Sequence, residues 1–304
     1  MTGASGSLGQ ELVKGLKERL PNAILLVPSR AELDLGSHES VNKYVSVQKP
    51  THVFHLAAKV FGIAGHKEHP AASLIENTLI DHSIFSALLE FPPTWVYYSS
   101  TVAAYGYPYK SMPLIESDWL IGNPHESEMG YAFSKRHSLS YLEMLHSING
   151  TKFVYGLSTN LFGSRDRFLE GRGHVVVSLL EKAARIHKSR APLEVWGEGT
   201  ASRDFLSTKA ATGLLIDLID KHVGIVNIAS GQEISIREIA NKIAEEFELE
   251  GGIRFVGINQ GIMSRVCSTK KLEQFSPTVS EIDSKKDLWH EIKNYKENRL
   301  PKQS

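Results

Sequence analysis

Tyr131 and Lys135 stand four residues apart in Gly130-Tyr131-Ala132-Phe133-Ser134-Lys135. Four residues make about one helical turn, so both side chains leave the same helix face. A phenol ordinarily holds its proton to a pH near about 10. An ammonium one turn away stabilises the phenolate and is expected to pull that value down, making the tyrosine an acid/base usable near neutrality. The spacing alone is common. Here a glycine-rich opening, Thr2-Gly3-Ala4-Ser5-Gly6-Ser7-Leu8-Gly9, comes first, and Ser99-Ser100-Thr101 closes an apolar run 30 residues before Tyr131. In that order, the three parts are what nicotinamide-dependent carbonyl chemistry needs.

Each part has a plainer alternative. The glycines recur at three-residue spacing before Leu8, Leu12, Val13, Leu16 and Leu20, which form one apolar helix face. Backbone without side chains can approach a pyrophosphate, and the helix start supplies N–H donors and a positive dipole end. The alternative is an ordinary glycine turn. An acid closing the second strand would bind the ribose 2′-OH of NAD. Ala23–Val27 is followed instead by Pro28-Ser29-Arg30. Arg30 suits a 2′-phosphate, which favours NADP(H) over a merely solvated arginine. A hydroxyl at the carboxyl end of a parallel strand faces the ligand crevice. It can donate to a substrate carbonyl, or simply bond its own turn. His174, in a glycine-rich loop, reads as an acid/base or as a solvated histidine. Trp196 and Arg203 read as a base-stacking ring and a diphosphate partner, or as a core tryptophan and a structural ion pair.

These residues need a scaffold. Ala23–Val27, His52–Leu56, Trp95–Ser99 and Lys152–Gly156 read as buried strands, with helices at residues 71–90 and 131–147 between them. That alternation predicts an α/β protein: a Rossmann-type doubly wound parallel sheet with a smaller, discontinuous substrate lobe. Residues 1–158, with about 204–230, are assigned to the dinucleotide-binding domain. Residues 159–203 and 231–304 are assigned to the substrate lobe and a polar, loosely held C-terminal tail. From about residue 160 to Leu193 the sequence reads mainly as loops. Leu193–Trp196, Ile225–Ile228 and a helix near 235–248 follow. The glycine loop begins at residue 2, where such a loop ordinarily follows a central strand, so the first strand is missing. The expectation is that the natural protein carries a few more apolar residues upstream.

The chain has 304 residues, 41% of them hydrophobic, which suits one large or two modest domains. Lys+Arg and Asp+Glu each number 34, so nothing marks a nucleic-acid or membrane-surface protein. Cys267 is the only cysteine, which excludes an intrachain disulfide and a cysteine zinc site. No run of about 18 apolar residues exists. A cytoplasmic protein is expected.

Together the motifs resemble the extended short-chain dehydrogenase/reductase family, from the glycine loop to about residue 275, and within it the group of GDP-L-fucose synthases. The stretches Arg30-Ala31-Glu32-Leu33-Asp34-Leu35 and Leu56-Ala57-Ala58-Lys59-Val60-Phe61-Gly62-Ile63 are similar to that group. So are the segment Pro70 to Asn77, Thr159-Asn160-Leu161-Phe162-Gly163 and Val195-Trp196-Gly197-Glu198-Gly199-Thr200. The resemblance implies a nucleotide-linked 4-keto-6-deoxy sugar substrate, NADPH as hydride donor and a homodimer; the expected reading is a reductase of a GDP-linked sugar in surface-polysaccharide precursor synthesis. It implies Thr101 as catalytic hydroxyl, Tyr131 as proton donor, Lys135 as ribose ligand and His174 as an acid/base. It places Gly3, Ser5, Gly6, Leu8, Gly9, Arg30, Leu56, Ala57 and Ala58 on the cofactor. It places Asn160, Trp196, Arg203 and Arg265 on the nucleotide-sugar.

Two departures stand out. The group's epimerising cysteine, two residues before Tyr105, is Ala103 here, and alanine cannot move a proton. Epimerisation at C3 and C5 is therefore expected to be lost or weakened while reduction survives. Ser207-Thr208-Lys209 follows Phe205-Leu206 where the group commonly has His and Asp. The rival readings are a C4 epimerase or dehydratase with bound NAD, and a non-catalytic nucleotide-binding scaffold.

Overall fold

The computed structural model describes residues 1–60, 68–163, 175–258 and 261–299. Nine helices are described: α1 Ser7–Arg19, α2 His38–Gln48, α3 Pro70–Glu90, α4 Met129–Asn149, α5 Val175–Ile186, α6 Thr208–Asp217, α7 Ile236–Glu246, α8 Lys270–Glu273 and α9 Ser284–Arg299. The strands are β1 His52–His55, β2 Trp95–Thr101, β3 Lys152–Ser158, β4 Asn160–Phe162, β5 Leu193–Trp196, β6 Ser202–Ser207, β7 Gly224–Ile228, β8 Glu233–Ser235, β9 Ile253–Val256 and β10 Ser264–Arg265.

The main sheet runs β1-β2-β3-β7, all parallel. Successive side chains of a strand point to opposite faces, and burial follows that rule on both sides. Val53, Val96, Tyr98, Phe153, Tyr155 and Leu157 join one core with α2, α3 and α4. Phe54, Trp95, Tyr97, Val154 and Val226 join another with α1 and α6. This is the doubly wound arrangement that the alternating apolar runs predict.

The other strands form smaller sheets. β10-β6-β4 is parallel, with β8 antiparallel to β6, and β5 pairs β9. A third core there gathers α5, α7, α9 and the inward residues of β5 and β6. The outer edge of β7 is occupied by side chains. Lys271 Nζ donates to the Ile225 carbonyl at 2.6 Å, and Glu116 accepts the Asn227 N–H at 3.0 Å.

Three expectations are corrected. Ala23–Val27 is not a buried strand, and Ile24 is 90% exposed. A strand needs a ladder partner. Only Met1 and Thr2 stand between this segment and β1, with the Met1 ammonium donating to Leu26 O at 2.7 Å and Thr2 bridging to His55. The region read as loops contains β4 and α5, whose Val176, Leu179, Leu180 and Ala183 follow helical spacing and are buried. The polar tail is largely α9, held by fully buried Leu288 and Ile292 and by Ser207 Oγ donating to Asp287 at 2.6 Å. Among the described residues no helix is long and apolar enough to cross a membrane.

Leu288→Ala empties a fully buried position in the third core, where such truncations cost about 2–5 kcal/mol. Its urea-unfolding midpoint should fall clearly below that of the unaltered chain; a loosely held tail would leave the midpoint unchanged.

Candidate active site

α4 carries Tyr131 and Lys135 in its first two turns, and its position is fixed tightly. A Cβ on Gly130 would lie 2.0 Å from the Pro70 carbonyl oxygen, so only glycine lets the starts of α3 and α4 touch. From the sheet, Ser100 Oγ donates to the Tyr155 hydroxyl at 2.9 Å, which donates to the Lys135 carbonyl at 2.6 Å. Lys135 is 1% exposed, and its Nζ lies 4.5 Å from the Tyr98 ring centroid and 5.7 Å from that of Tyr131.

The electrostatics reverse the expectation drawn from spacing. Burial pushes the Tyr131 phenol above its ordinary range, and the charges of Asp81 and Glu128 push it the same way. Burial lowers Lys135, and Asp81 opposes that fall. Asp81 lies on the inward face of α3. Burial alone would raise its carboxyl, but Lys135, His55 and Ser138 outweigh that and hold it below the usual range. Burial and both carboxylates thus favour the protonated phenol.

Thr101 ends β2, at the carboxyl edge of the sheet. Its Oγ1 accepts the Ala103 N–H at 3.1 Å, which leaves its own O–H to donate elsewhere. The following turn, Val102–Ala104, packs on α4. Arg136 clamps the two together: its guanidinium donates to Ala104 O at 2.7 Å, Gly122 O at 2.8 Å and Trp119 O at 2.9 Å.

The glycine loop forms a cradle. Gly3 has φ +73°, and a Cβ there would meet Ala57 N at 2.7 Å; one on Gly9 would meet Gly3 O at 2.2 Å. Gly6 caps α1 with no side-chain hydrogen bond, and the first turn carries no acid. The N–H groups that a side chain would otherwise satisfy are thus left for an anion. Ser7 Oγ beside them is buried without a hydrogen-bond partner among the described residues. These features fit a dinucleotide pyrophosphate. Asn77 holds the chain after Leu56-Ala57-Ala58, accepting Lys59 N at 2.8 Å and donating to Lys59 O at 3.0 Å. Ser5 and Arg30 are exposed and Leu8 is half-buried.

The proposed substrate residues fall into different settings. Arg265 is buried; it donates to Tyr109 OH at 2.6 Å and to Glu128 Oε2 at 2.5 Å. Burial alone would raise Glu128, and Arg265 holds it below its usual range instead. Burial and the neighbouring Arg265 hold Arg203 down to about 10. Arg203 Nη1 donates to Ser202 O at 2.6 Å. Asn160 Nδ2 donates to Asp204 O at 2.9 Å. Trp196 is 84% exposed, which rules out the core-tryptophan reading. His174 lies outside the described residues. Cys267 is buried, and burial followed by Asp204 pushes its thiol up. Ser207, at the departing position, caps α6 by accepting Ala210 N at 3.2 Å.

Sequence reasoning gave no role to Asn77, Asp81, Glu128 or Arg136. A signal existed for the first two. Ser73, Asn77 and Asp81 recur every fourth residue within a largely apolar helix, which places one polar row on the buried face.

The model of the NAD dependent epimerase/dehydratase family matches residues 1–229. The GDP-L-fucose synthase of Sinorhizobium fredii is 30% identical over 260 residues, covering 84% of this chain and 81% of that protein. Two solved structures share the fold. One is a GDP-L-fucose synthetase from Naegleria fowleri bound to NADP, with a TM-score of 0.86, 21% identity and coverage of 98% and 93%. The other is a GDP-6-OMe-4-keto-L-xylo-heptose reductase from C. jejuni, with a TM-score of 0.84, 21% identity and coverage of 97% and 95%.

Arg136→Ala releases three carbonyls and frees the Thr101 turn from α4. A misplacement of about 1 Å near reacting groups can cost about 10²-fold in rate. Turnover should fall by that order while NADPH affinity, measured by fluorescence titration, stays within about threefold; an unchanged rate would exclude the clamp.

Proposed function

The chain belongs to the NAD dependent epimerase/dehydratase family, and on that premise we propose that it reduces the ketone of a GDP-linked 4-keto sugar with NADPH. One observation carries the reading: half-buried Tyr131 stands one helical turn before the buried Lys135, whose Nζ lies 5.7 Å from the tyrosine ring centroid. Reduction of a ketone consumes a proton at the oxygen, so its acid must be protonated at the start. The names of the similar proteins support GDP as the nucleotide and a hexose or heptose as the sugar.

NADPH, when bound, supplies a hydride for the carbonyl carbon. The loop from Gly3 through Ser5 and Gly6 to Gly9, with Leu8, would hold its pyrophosphate, and Leu56, Ala57 and Ala58 would line the site. Arg30 would meet the 2′-phosphate, and Lys135 the ribose. Thr101 donates its free O–H to the ketone oxygen, and Tyr131 delivers its proton to the same atom. The Lys135 ammonium then stabilises the tyrosinate left behind. Arg203 and Arg265 would face the diphosphate, with Trp196 stacking and Asn160 nearby, and His174 would lie toward the sugar. Inverting C3 or C5 requires a second placed acid/base partner. Ala103 cannot serve, and Cys267 is a buried thiol with a raised pKa. The reaction is therefore reduction without epimerisation.

The functional unit is a homodimer built on α3 and α4, which pack side by side. Ile75 and Leu79 on α3 and Met144 and Ile148 on α4 are about half exposed or more. A self-complementary pairing of these faces would cover them.

Purified protein should consume NADPH with a freshly made GDP-4-keto sugar in deuterated water and leave C3 and C5 of the product unlabelled. Tyr131→Phe should abolish turnover and retain NADPH binding. Consumption only with dTDP- or CDP-linked sugars would overturn the nucleotide, and unchanged kcat in Tyr131→Phe would overturn the mechanism. On a sizing column the unaltered chain should elute as a dimer and Ile75→Glu/Ile148→Glu as a monomer; dimeric elution of that variant would reject the α3–α4 interface.

A further inference from the structure

Glu128 stands where α4 begins, immediately before Met129 and one turn ahead of Tyr131. Its carboxylate reaches across to β10 and closes on Arg265. Oε2 accepts from Nη2 at 2.5 Å, and Oε1 accepts from Nη1 at 3.3 Å. The two side chains are 15% and 7% exposed. The Tyr109 hydroxyl accepts from Arg265 Nε at 2.6 Å. A guanidinium carries five N–H donors; three are engaged here, and among the described residues two remain for a ligand. β10 itself is well fixed. It pairs in parallel with β6, and the chain beyond it is tied to Leu114, whose N–H donates to Val266 O at 2.8 Å and whose carbonyl accepts from Ser268 N at 2.8 Å. The register sets Arg265 beside Arg203, and paired residues of neighbouring strands leave a sheet on the same face. The described contacts of Arg203 are to the carbonyl oxygens of Ser202 and Met263. Two guanidinium groups thus share one carboxylate, which leaves a positive charge for an anion.

We propose that Glu128 is a positioning residue that ties the nucleotide end of the site to the proton donor: through Arg265 it holds the start of α4 on β10, and its own charge weakens the grip on a diphosphate. This rests on the reading of Arg203 and Arg265 as groups that face the diphosphate. Both effects have one cause. The carboxylate that fixes the guanidinium fork is also an anion beside the place where a second anion binds. A helix start that shifts carries Tyr131 with it. A purely structural ion pair behaves differently: its loss leaves a buried charge unpaired and weakens the fold, so that binding and turnover fall together.

The test is Glu128→Gln, which keeps the shape of the side chain and removes its charge. GDP affinity, measured by calorimetry without NADPH or sugar, should rise about 3–30-fold. With a GDP-4-keto sugar, kcat should fall about tenfold or more. GDP binding no tighter than that of the unaltered chain, or an unchanged kcat, would overturn the proposal. Glu128→Asp keeps the charge and draws it back by one methylene. Its GDP affinity should stay within about threefold of the unaltered chain's while kcat falls; a full kcat there would reject the tie even if the glutamine variant does not fold. An unaltered chain that binds no GDP removes the nucleotide assignment and this inference with it, whereas equal binding by the unaltered chain and Glu128→Gln removes the inference alone.

Discussion

The amino group of Lys135 has to be accommodated inside this protein. Lys135 is 1% exposed, and an ammonium taken out of water is stable only where the surroundings replace its hydration. That requirement shapes the region. Tyr98 turns a ring face toward it, α3 brings a carboxylate, and Tyr155 locks the backbone of the same residue to the sheet. α3 and α4 must approach closely for this, and Gly130 allows it. From Ser138 through Asp81, His55 and Thr2 a hydrogen-bonded chain reaches the base of the glycine loop, so the helix of Tyr131 and Lys135 and the glycine cradle share one buried polar framework.

Much of the scaffold was legible because burial on both sheet faces leaves near-continuous apolar runs. β1, β2, β3, β5 and β7 were read within a few residues, as were α3 and α4. Ala23–Val27 has the same composition and failed for a physical reason: an apolar run states a preference for burial, whereas a strand also needs a neighbour. α9 failed in the opposite direction. Most of its residues are polar, and its placement hangs on Leu288 and Ile292, one turn apart, which a composition reading averages away.

At the site, spacing along one helix singled out Tyr131 and Lys135 but not the groups that act on the phenol, and it predicted the opposite direction for the phenol's shift. The groups that set the phenol's proton affinity come from burial, from Asp81 fifty residues earlier and from Glu128. Neighbours across the fold are invisible to spacing. The ion pair of Arg265 with Glu128 is of the same kind, joining residues 137 positions apart. The Ser207 departure, unexplained in sequence, acquires a role: it caps α6 and anchors α9, a structural task.

The side chains along β7 have a consequence for how copies of this chain can meet. An open edge strand is a template for another chain, the route to strand exchange and aggregation. Lys271 and Glu116 already occupy backbone groups of Ile225 and Asn227 that a foreign strand would need. Two charged residues thus stand where the ladder of an added strand would have to begin.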